Sequence, residues 1–220
     1  MIATPKLISI GLLSIGIFVL MQVSLPIISF QVWEIGQKYH NQNLISPKQT
    51  SRGQVLGVSV QTGVSVRNRD NFPAFISNLK RETNPNYSQF TLSVPRLKIE
   101  NSTVFLDSNE LSKGLVHLPG SSLPGEKGNV FISGHSALSP IFSFKKAVFG
   151  KLQDLKKGDQ ILVEASGTKF VYIVSELKII DPKDISVINP PDAQGRYISL
   201  MTCVPPGLNF KRLVVLGKMI

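Results

Sequence analysis

The sequence predicts a mainly β domain with short helices, preceded by one N-terminal transmembrane helix. Two observations predict this organisation. The first is an uncharged, largely apolar run from Leu7 to Trp33. The second is a series of short β-rich segments separated by glycine and proline turns, which begins near Phe90 and continues to the end of the 220-residue chain. Many short strands at this spacing indicate a sandwich or a barrel.

The apolar run is long enough to cross a bilayer. A helix over Leu7–Phe30 would be about 36 Å long at roughly 1.5 Å per residue. A cleaved signal peptide is the alternative, but its apolar core spans only about 7–15 residues and ends at a small-residue cleavage site. We therefore expect residues 1–6 to be a cytoplasmic tip and residues 7–30 a single-pass membrane anchor. The flanking charges do not favour this orientation, but long domains translocate largely regardless of charge.

Residues 31–88 are predicted to form a stalk or linker. The stretch Asn41–Gly53 is rich in Asn, Gln, Ser and Thr and has no hydrophobic period. Val55–Val66 alternates apolar with polar or small residues, which fits either a strand or an extended linker. Phe72–Leu79 is expected to form a short helix after Asp70.

The predicted strands all lie within residues 89–220, which we interpret as one β domain. They are Phe90–Val94, Leu97–Ile99, Thr103–Leu106, Val130–Ser133, Gln160–Glu164, Phe170–Ile180, Tyr197–Met201 and Leu213–Leu216. Turn residues separate them, as at Pro124-Gly125 and Asp181-Pro182. Helical patterns are scarce, and the best candidates are Asn109–Lys113 and Phe142–Leu155.

The formal net charge of +10 is not concentrated in one segment. No long basic run with interleaved aromatic residues is present, so nucleic-acid binding is not expected. Attraction to an anionic membrane or wall polymer explains the charge more simply. The single cysteine excludes an internal disulfide and is either a buried small hydrophobe or a reactive thiol.

Three residues of chemically useful type stand at the ends of predicted strands. Cys203 follows Tyr197–Met201 and precedes two prolines, which cannot continue a sheet. His135 follows an apolar strand, and Arg212 opens the last strand. Each residue taken alone has an ordinary structural explanation. Cys203 could be a buried core residue, His135 could hydrogen-bond to a loop, and Arg212 could face solvent at the edge of a strand. Together they suit a nucleophile, a proton donor and a group that holds an oxyanion.

These residues stand in segments that resemble the sortase family. The similar segments are Leu200-Met201-Thr202-Cys203-Val204-Pro205, Arg212-Leu213-Val214-Val215, Pro124-Gly125-Glu126-Lys127-Gly128-Asn129 and Ile132-Ser133-Gly134-His135. They resemble the family's Thr-Cys pair, its Arg-led strand and the block that leads into its catalytic His. The resemblance covers roughly residues 89–220 and does not extend to residues 31–88. Ser136 departs from the Arg or Asn that many relatives have after the His.

The resemblance implies a closed β-barrel of about eight strands, with catalysis by His135, Cys203 and Arg212. Thr202 and His117 are expected to support substrate binding. The implied reaction is transpeptidation. The enzyme cleaves a Leu-Pro-x-Thr-Gly-like motif of exported proteins through a thioester, then passes the acyl part to an amine of a peptidoglycan precursor or pilin. No cofactor or metal is expected, since no acidic cluster matches the calcium site of some relatives.

Two other functions remain open at this point. A membrane-tethered cysteine peptidase would use the same residues and release its product to water. A non-catalytic β domain on a stalk would hold Cys203 as a core residue. A peptidoglycan L,D-transpeptidase is a third alternative that we discount. It also uses Cys and His, but in one Ser-His-Gly-Cys type run, whereas His135 and Cys203 are 68 positions apart.

Overall fold

The computed structural model describes residues 4–40, 64–69, 72–77, 85–136, 147–206 and 210–220. The chain divides into two compact units, Met1–Ile45 and Ser46–Ile220. The first unit contains helix α1, Thr4–His40. Its segment Ser9–Ser29 has a mean hydropathy of 2.2 and is long and apolar enough to cross a membrane, a property that anchors share with signal sequences.

Ten strands lie in the described part of the second unit. They are β1 Val64–Arg69, β2 Phe72–Ser77, β3 Gln89–Val94, β4 Ile99–Phe105, β5 Leu115–His117, β6 Gly128–Ser133, β7 Gln160–Ala165, β8 Thr168–Ile180, β9 Arg196–Val204 and β10 Lys211–Met219. Strands β1 and β2 form a separate two-stranded sheet, and the other eight close into a barrel in the order β10-β8-β7-β3-β4-β5-β6-β9. The predicted closed barrel of about eight strands is therefore confirmed.

Apolar side chains fill the barrel and stabilise it. Leu92, Val104, Val130, Leu200 and Val215 are completely buried, and they come from five different strands. A barrel of eight strands has an interior just wide enough for side chains to fill. The alternation of side chains along each strand then leaves a second set of residues for the outer face of the barrel.

Strand β2 occupies a segment that the sequence predicts to be helical, so the helix expected over Phe72–Leu79 is wrong. Pro73 disfavours the helical conformation for the residue before it, which favours an extended chain instead. Pairing with β1, in which Val66 lies opposite Phe75, then provides backbone partners. The earlier part of Val55–Val66 lies outside the described residues.

In the described residues, each of the two other predicted helices contains only a single 3₁₀ turn. Asn109–Lys113 contains only the turn Leu111–Lys113, which ends at Gly114 with φ +123°. In the described part of Phe142–Leu155, only Leu152–Asp154 is helical. Such short apolar segments pack against the barrel without a regular helix, because tertiary contacts override weak propensity.

Two strand boundaries also differ from the prediction. The segments expected as two strands, Leu97–Ile99 and Thr103–Leu106, contribute to the single strand β4 after a 3₁₀ turn at Pro95–Leu97. Strand β9 continues past Met201 through Cys203 to Val204. The thiol therefore lies within the sheet, where its position is set by pairing with both neighbours of β9.

Candidate active site

Cys203 and Arg212 lie opposite each other on neighbouring antiparallel strands. The register of β9 and β10 pairs Arg212 with Cys203 directly. Residues that face each other in this way have Cα atoms roughly 4.5–5.5 Å apart and side chains on the same face of the sheet. The structure thus brings the only thiol of the chain and a guanidinium together.

His135 reaches the same place through the parallel pairing of β6 with β9. Ser133 pairs with Met201, and the Gly134 N–H donates to the Met201 carbonyl at 3.1 Å. His135 follows the last residue of β6 by two positions, at the same end of the sheet as Cys203 on β9. The His135 residue is partly exposed. All three predicted catalytic residues therefore meet at one end of β6, β9 and β10.

The backbone around His135 is held from two sides. The Thr202 hydroxyl donates to the Gly134 carbonyl at 2.9 Å, and the Phe149 N–H donates to the His135 carbonyl at 3.2 Å. A Cβ at Gly134 would lie 2.5 Å from Leu115 Cδ2 and 2.8 Å from Phe149 Cδ2, so a larger residue there would have to displace these two side chains. Thr202, expected to support substrate binding, has its hydroxyl on the backbone next to His135.

Burial controls the ionisation of the pair. Cys203 is 1% exposed and Arg212 is 0% exposed. Desolvation raises the pKa of the Cys203 thiol to about 12, although the charge of Arg212 opposes this rise. Desolvation also lowers the pKa of Arg212, against the effect of Cys203 and Asp181. In this arrangement Cys203 is a neutral thiol at neutral pH.

His117 lies away from this group of residues. Strand β6 separates β5, which carries His117, from β9. The His117 ring is fully buried, with Nδ1 3.2 Å from Asp107 Oδ1 and Nε2 2.9 Å from Ser121 Oγ. The Ser121 hydroxyl also accepts the Phe131 N–H at 3.3 Å. These bonds make His117 a structural support of the β5–β6 connection.

Sequence reasoning missed the buried pair Asn129 and Ser199. The Asn129 amide donates to the carbonyls of Val187 and Ile188 at 3.2 and 3.1 Å, and the Ser199 hydroxyl donates to Asn129 Oδ1 at 3.0 Å. Asn129 thereby holds the connection between β8 and β9 against β6. A polar residue inside an otherwise apolar strand was the available signal, because a buried amide needs partners.

The described residues offer no cluster of side chains suited to bind a metal ion. Within them, no group of three or more His, Cys, Asp and Glu side chains could hold a metal ion. The absence of a metal remains a prediction from the sequence.

The sequence of the chain is similar to those of known proteins from one family. The family model of the sortase domain matches residues 92–220. Sortase D of Bacillus subtilis is 32% identical over 131 residues, which cover 58% of this chain and 61% of that protein. Sortase A of Listeria monocytogenes is 32% identical over 132 residues, covering 59% of this chain and 55% of that protein. The match thus spans less than two thirds of either relative.

The fold of the chain is also similar to solved structures. Sortase A from Corynebacterium diphtheriae, a lid mutant, superposes with a TM-score of 0.54 at 28% sequence identity. The similarity covers 64% of this chain and 73% of that one.

Proposed function

Because the chain belongs to the sortase family, we propose that its barrel is a cysteine transpeptidase domain, with Cys203 as nucleophile. The observation that carries the proposal is the cross-strand pair of Cys203 and Arg212, with His135 just after β6 at the same end of the sheet. A nucleophile, a proton carrier and a fixed positive donor within one patch are the groups that acyl transfer requires.

The first half-reaction forms a thioester. Burial favours the neutral thiol, so the attack includes transfer of the Cys203 proton to His135. The Cys203 sulfur bonds to the backbone carbonyl carbon of the substrate, and Arg212 stabilises the negative oxygen of the tetrahedral intermediate. The carbon–nitrogen bond then breaks, and His135 returns the proton to the leaving amine.

The second half-reaction transfers the acyl group. An acceptor amine loses a proton to His135 and attacks the thioester carbon, which releases Cys203 as a thiol. By analogy with the family, the substrate is an exported protein with a Leu-Pro-x-Thr-Gly-like motif. The acceptor is an amine of a peptidoglycan precursor or of a pilin. Thr202 supports the reaction by holding the backbone at Gly134, and no cofactor takes part.

The proposed location is the cell membrane. The apolar segment Ser9–Ser29 of α1 supports a single membrane-spanning anchor, with residues 1–6 inside the cell and the barrel outside. The substrates of the proposed reaction are exported, so a barrel on the outer side would meet them there. The domain boundaries proposed from the sequence are an anchor at 7–30, a stalk or linker at 31–88 and a catalytic domain at 89–220.

The deciding experiment compares the detergent-solubilised wild-type chain with Cys203→Ala. Incubation with a Leu-Pro-x-Thr-Gly peptide should give a cleaved product and a covalent acyl-enzyme by mass spectrometry, and both should vanish in Cys203→Ala. The variant should keep the wild-type circular dichroism spectrum, since a thiol-to-methyl exchange leaves the strand pairing intact. If Cys203→Ala still cleaves the peptide, Cys203 is not the nucleophile.

An amine acceptor separates transpeptidation from hydrolysis. Addition of a triglycine or lysine-containing acceptor should convert the product from a free acid to an amide and raise the turnover rate. A product that remains a free acid at every acceptor concentration would instead identify a cysteine peptidase.

A further inference from the structure

A cleft lies where β9 begins and β10 ends, away from the proposed catalytic residues. Its volume is about 500 Å³, within the roughly 300–1,000 Å³ of small-molecule sites. The lining residues are Asp192, Gln194, Gly195, Arg196, Lys218 and Met219. Strand β9 rises by roughly 23 Å between Arg196 and Cys203, at about 3.3 Å per residue. The cleft is therefore separate from the site of the proposed reaction.

Positive charge predominates around the cleft. Arg196 and Lys218 line it, and both are exposed. Lys127 stands at its rim, because the Lys127 Nζ donates to Gln194 Oε1 at 2.7 Å. Among the described residues, the lysines that form ion pairs are Lys113, Lys169, Lys178 and Lys211. Neither Lys127 nor Lys218 is among them, so their charges are available to an external anion.

Asp192 is the one carboxylate among the six lining residues, and its oxygens already accept hydrogen bonds. Its Oδ1 accepts the N–H of Gln194 at 2.9 Å and that of Gly195. Its Oδ2 accepts the hydroxyl of Tyr197. These bonds, that of Tyr197 first, lower the pKa of Asp192. Asp192 thus orders the wall of the cleft, and its single negative charge is outnumbered by the three cationic side chains.

The two lining cations are positioned by the barrel. The Arg196 Nε donates to the Gly125 carbonyl at 2.8 Å, which leaves the two Nη groups for a bidentate contact with an anion. Lys218 lies directly opposite Tyr197 in the register of β9 and β10, and its Nζ is 5.9 Å from the centroid of the Tyr197 ring. Both positive charges are therefore held near the cleft before any ligand binds.

We propose that this cleft binds a phosphate group of a water-soluble polyanion, with Arg196 and Lys218 as the main contacts and Lys127 at the rim. Phosphate accepts hydrogen bonds from several directions, and its pairs with arginine are frequently bidentate. The proposal goes beyond the transpeptidase reaction and does not depend on it. A phosphate-bearing polymer bound here would tether the barrel and leave the end that carries Cys203 open.

The surface of a lipid bilayer fits the cleft less well. Protein segments that bind the membrane interface combine cations with aliphatic or aromatic side chains that enter the bilayer. Of the six lining residues, Met219 is the one with an apolar side chain, and it is partly buried. A concave, charged site with little exposed apolar surface favours a hydrated ligand.

The first test measures binding by isothermal titration calorimetry, with the full chain in a nonionic detergent at low ionic strength. The probe is a soluble oligomer of glycerol phosphate. Lys218→Gln and Arg196→Gln should each weaken its affinity by about threefold to tenfold, the range for one charged contact in an open site. Lys218→Arg keeps the charge and should restore the wild-type affinity.

The matched control for this test is Arg96→Gln, which removes the same charge elsewhere. Arg96 is exposed in the 3₁₀ turn Pro95–Leu97 and does not line the cleft, so the affinity should stay within about twofold of wild type. Equal weakening in Arg96→Gln would show that the net charge of +10 attracts the probe without a site, and would overturn the proposal. Absence of binding to the wild-type chain, or wild-type affinity in Lys218→Gln, would overturn it too.

The second test locates the bound probe through alkylation of Cys203 by N-ethylmaleimide. Cys203 is the only cysteine, so the incorporated label has one source. A saturating probe should leave the alkylation rate within about twofold, since the cleft is roughly 20 Å away along β9. Strong protection of Cys203 would instead place the phosphate beside Arg212 and overturn the proposal. Alkylation needs no turnover, so this result does not depend on the proposed reaction.

The third test distinguishes a soluble polymer from a lipid headgroup as the source of the phosphate. The full chain in phosphatidylcholine nanodiscs is mixed with phosphatidylglycerol vesicles, which are then sedimented. Co-sedimentation should be the same for the wild-type chain, Arg196→Gln and Lys218→Gln. Co-sedimentation that is lost in these two variants and kept in Arg96→Gln would make a membrane surface the occupant of the cleft and overturn the proposal.

Discussion

Cys203 and Arg212 derive their properties from facing each other inside a sheet. A solvent-facing guanidinium would be interchangeable with an ammonium at little cost, but Arg212 is fully buried and has a thiol as its cross-strand neighbour. Its Nη1 donates to the Lys211 carbonyl at 3.0 Å, which helps to fix the orientation of the guanidinium plane. A planar group with several directed donors can then hold a developing oxyanion at a set position.

Arg212→Lys should therefore lower the acylation rate by roughly a hundredfold to a thousandfold, the cost of removing one oxyanion donor in other enzymes. Lysine keeps the charge but replaces the planar fork with one mobile ammonium. The measurement is single-turnover acyl-enzyme formation by mass spectrometry. Lys218→Arg is the matched control, because Lys218 lies on the same strand near Tyr197 and away from Cys203.

A wild-type acylation rate in Arg212→Lys would show that Arg212 serves the fold and that backbone amides hold the oxyanion. The rate of Cys203 alkylation should be measured in parallel. An unchanged alkylation rate would show that the substitution removed a catalytic contact, whereas a changed rate would show that it altered the reactivity of the Cys203 thiol.

At the level of elements, the parallel pairing of β6 with β9 brings His135 to the end of the sheet at which Cys203 lies. Two bonds extend this pairing beyond the last strand residue: the Gly134 N–H to the Met201 carbonyl, and the Thr202 hydroxyl to the Gly134 carbonyl. Strands β6 and β9 are far apart in sequence. The hydrogen bond from the Thr202 hydroxyl therefore links the residue after β6 directly to β9. We accordingly propose that Thr202 is a positioning residue for His135.

Thr202→Val should reduce kcat by roughly tenfold to a hundredfold, since small misplacements of a catalytic group have effects of that size. Valine preserves the shape of the buried side chain and removes only the hydroxyl. Thr202→Ser keeps the hydroxyl and should restore most of the activity, whereas a purely steric role would be preserved better by valine. An unchanged kcat in Thr202→Val would mean that the bond to Gly134 does not position His135.

On the scale of the whole molecule, the boundary of the folded unit matters for stability. The unit Ser46–Ile220 includes the hairpin formed by β1 and β2 as well as the barrel. Residues 89–220 contain all eight barrel strands. Without Phe75, the apolar face of the barrel that it contacts, which includes Phe131, Met201 and Val214, would meet water. Exposed apolar patches of this kind promote association.

A truncated chain of residues 46–220 should be a soluble monomer, whereas residues 89–220 should fold but self-associate. The shorter chain should also lose about 2–5 kcal/mol of unfolding free energy, in line with the loss of one buried aromatic side chain and its packing. Light scattering after gel filtration and urea unfolding measure the two effects. A monomeric 89–220 chain of equal stability would show that the apolar face does not depend on the hairpin.

The sequence alone determined the fold class, the family and the choice of candidate residues. Local signals were sufficient for these: an uncharged apolar run, alternating strands between turns, and short segments around His135, Cys203 and Arg212. The strand boundaries were less predictable. Met201 is followed by two more strand residues because pairing with β6 and β10 continues, and that pairing is not visible in a local window.

Only the tertiary structure decided what the residues before the barrel do. Val64, Val66 and Phe75 were read as part of a stalk, and Phe72–Leu79 as a helix, because six-residue strands carry little periodic signal on their own. Their role follows from contact with Phe131 and Met201, which are more than 50 positions away in the sequence. Burial of Cys203 likewise depends on elements distant in the chain. Contacts of this range depend on the closed barrel, whose outer face exists only once all eight strands have paired.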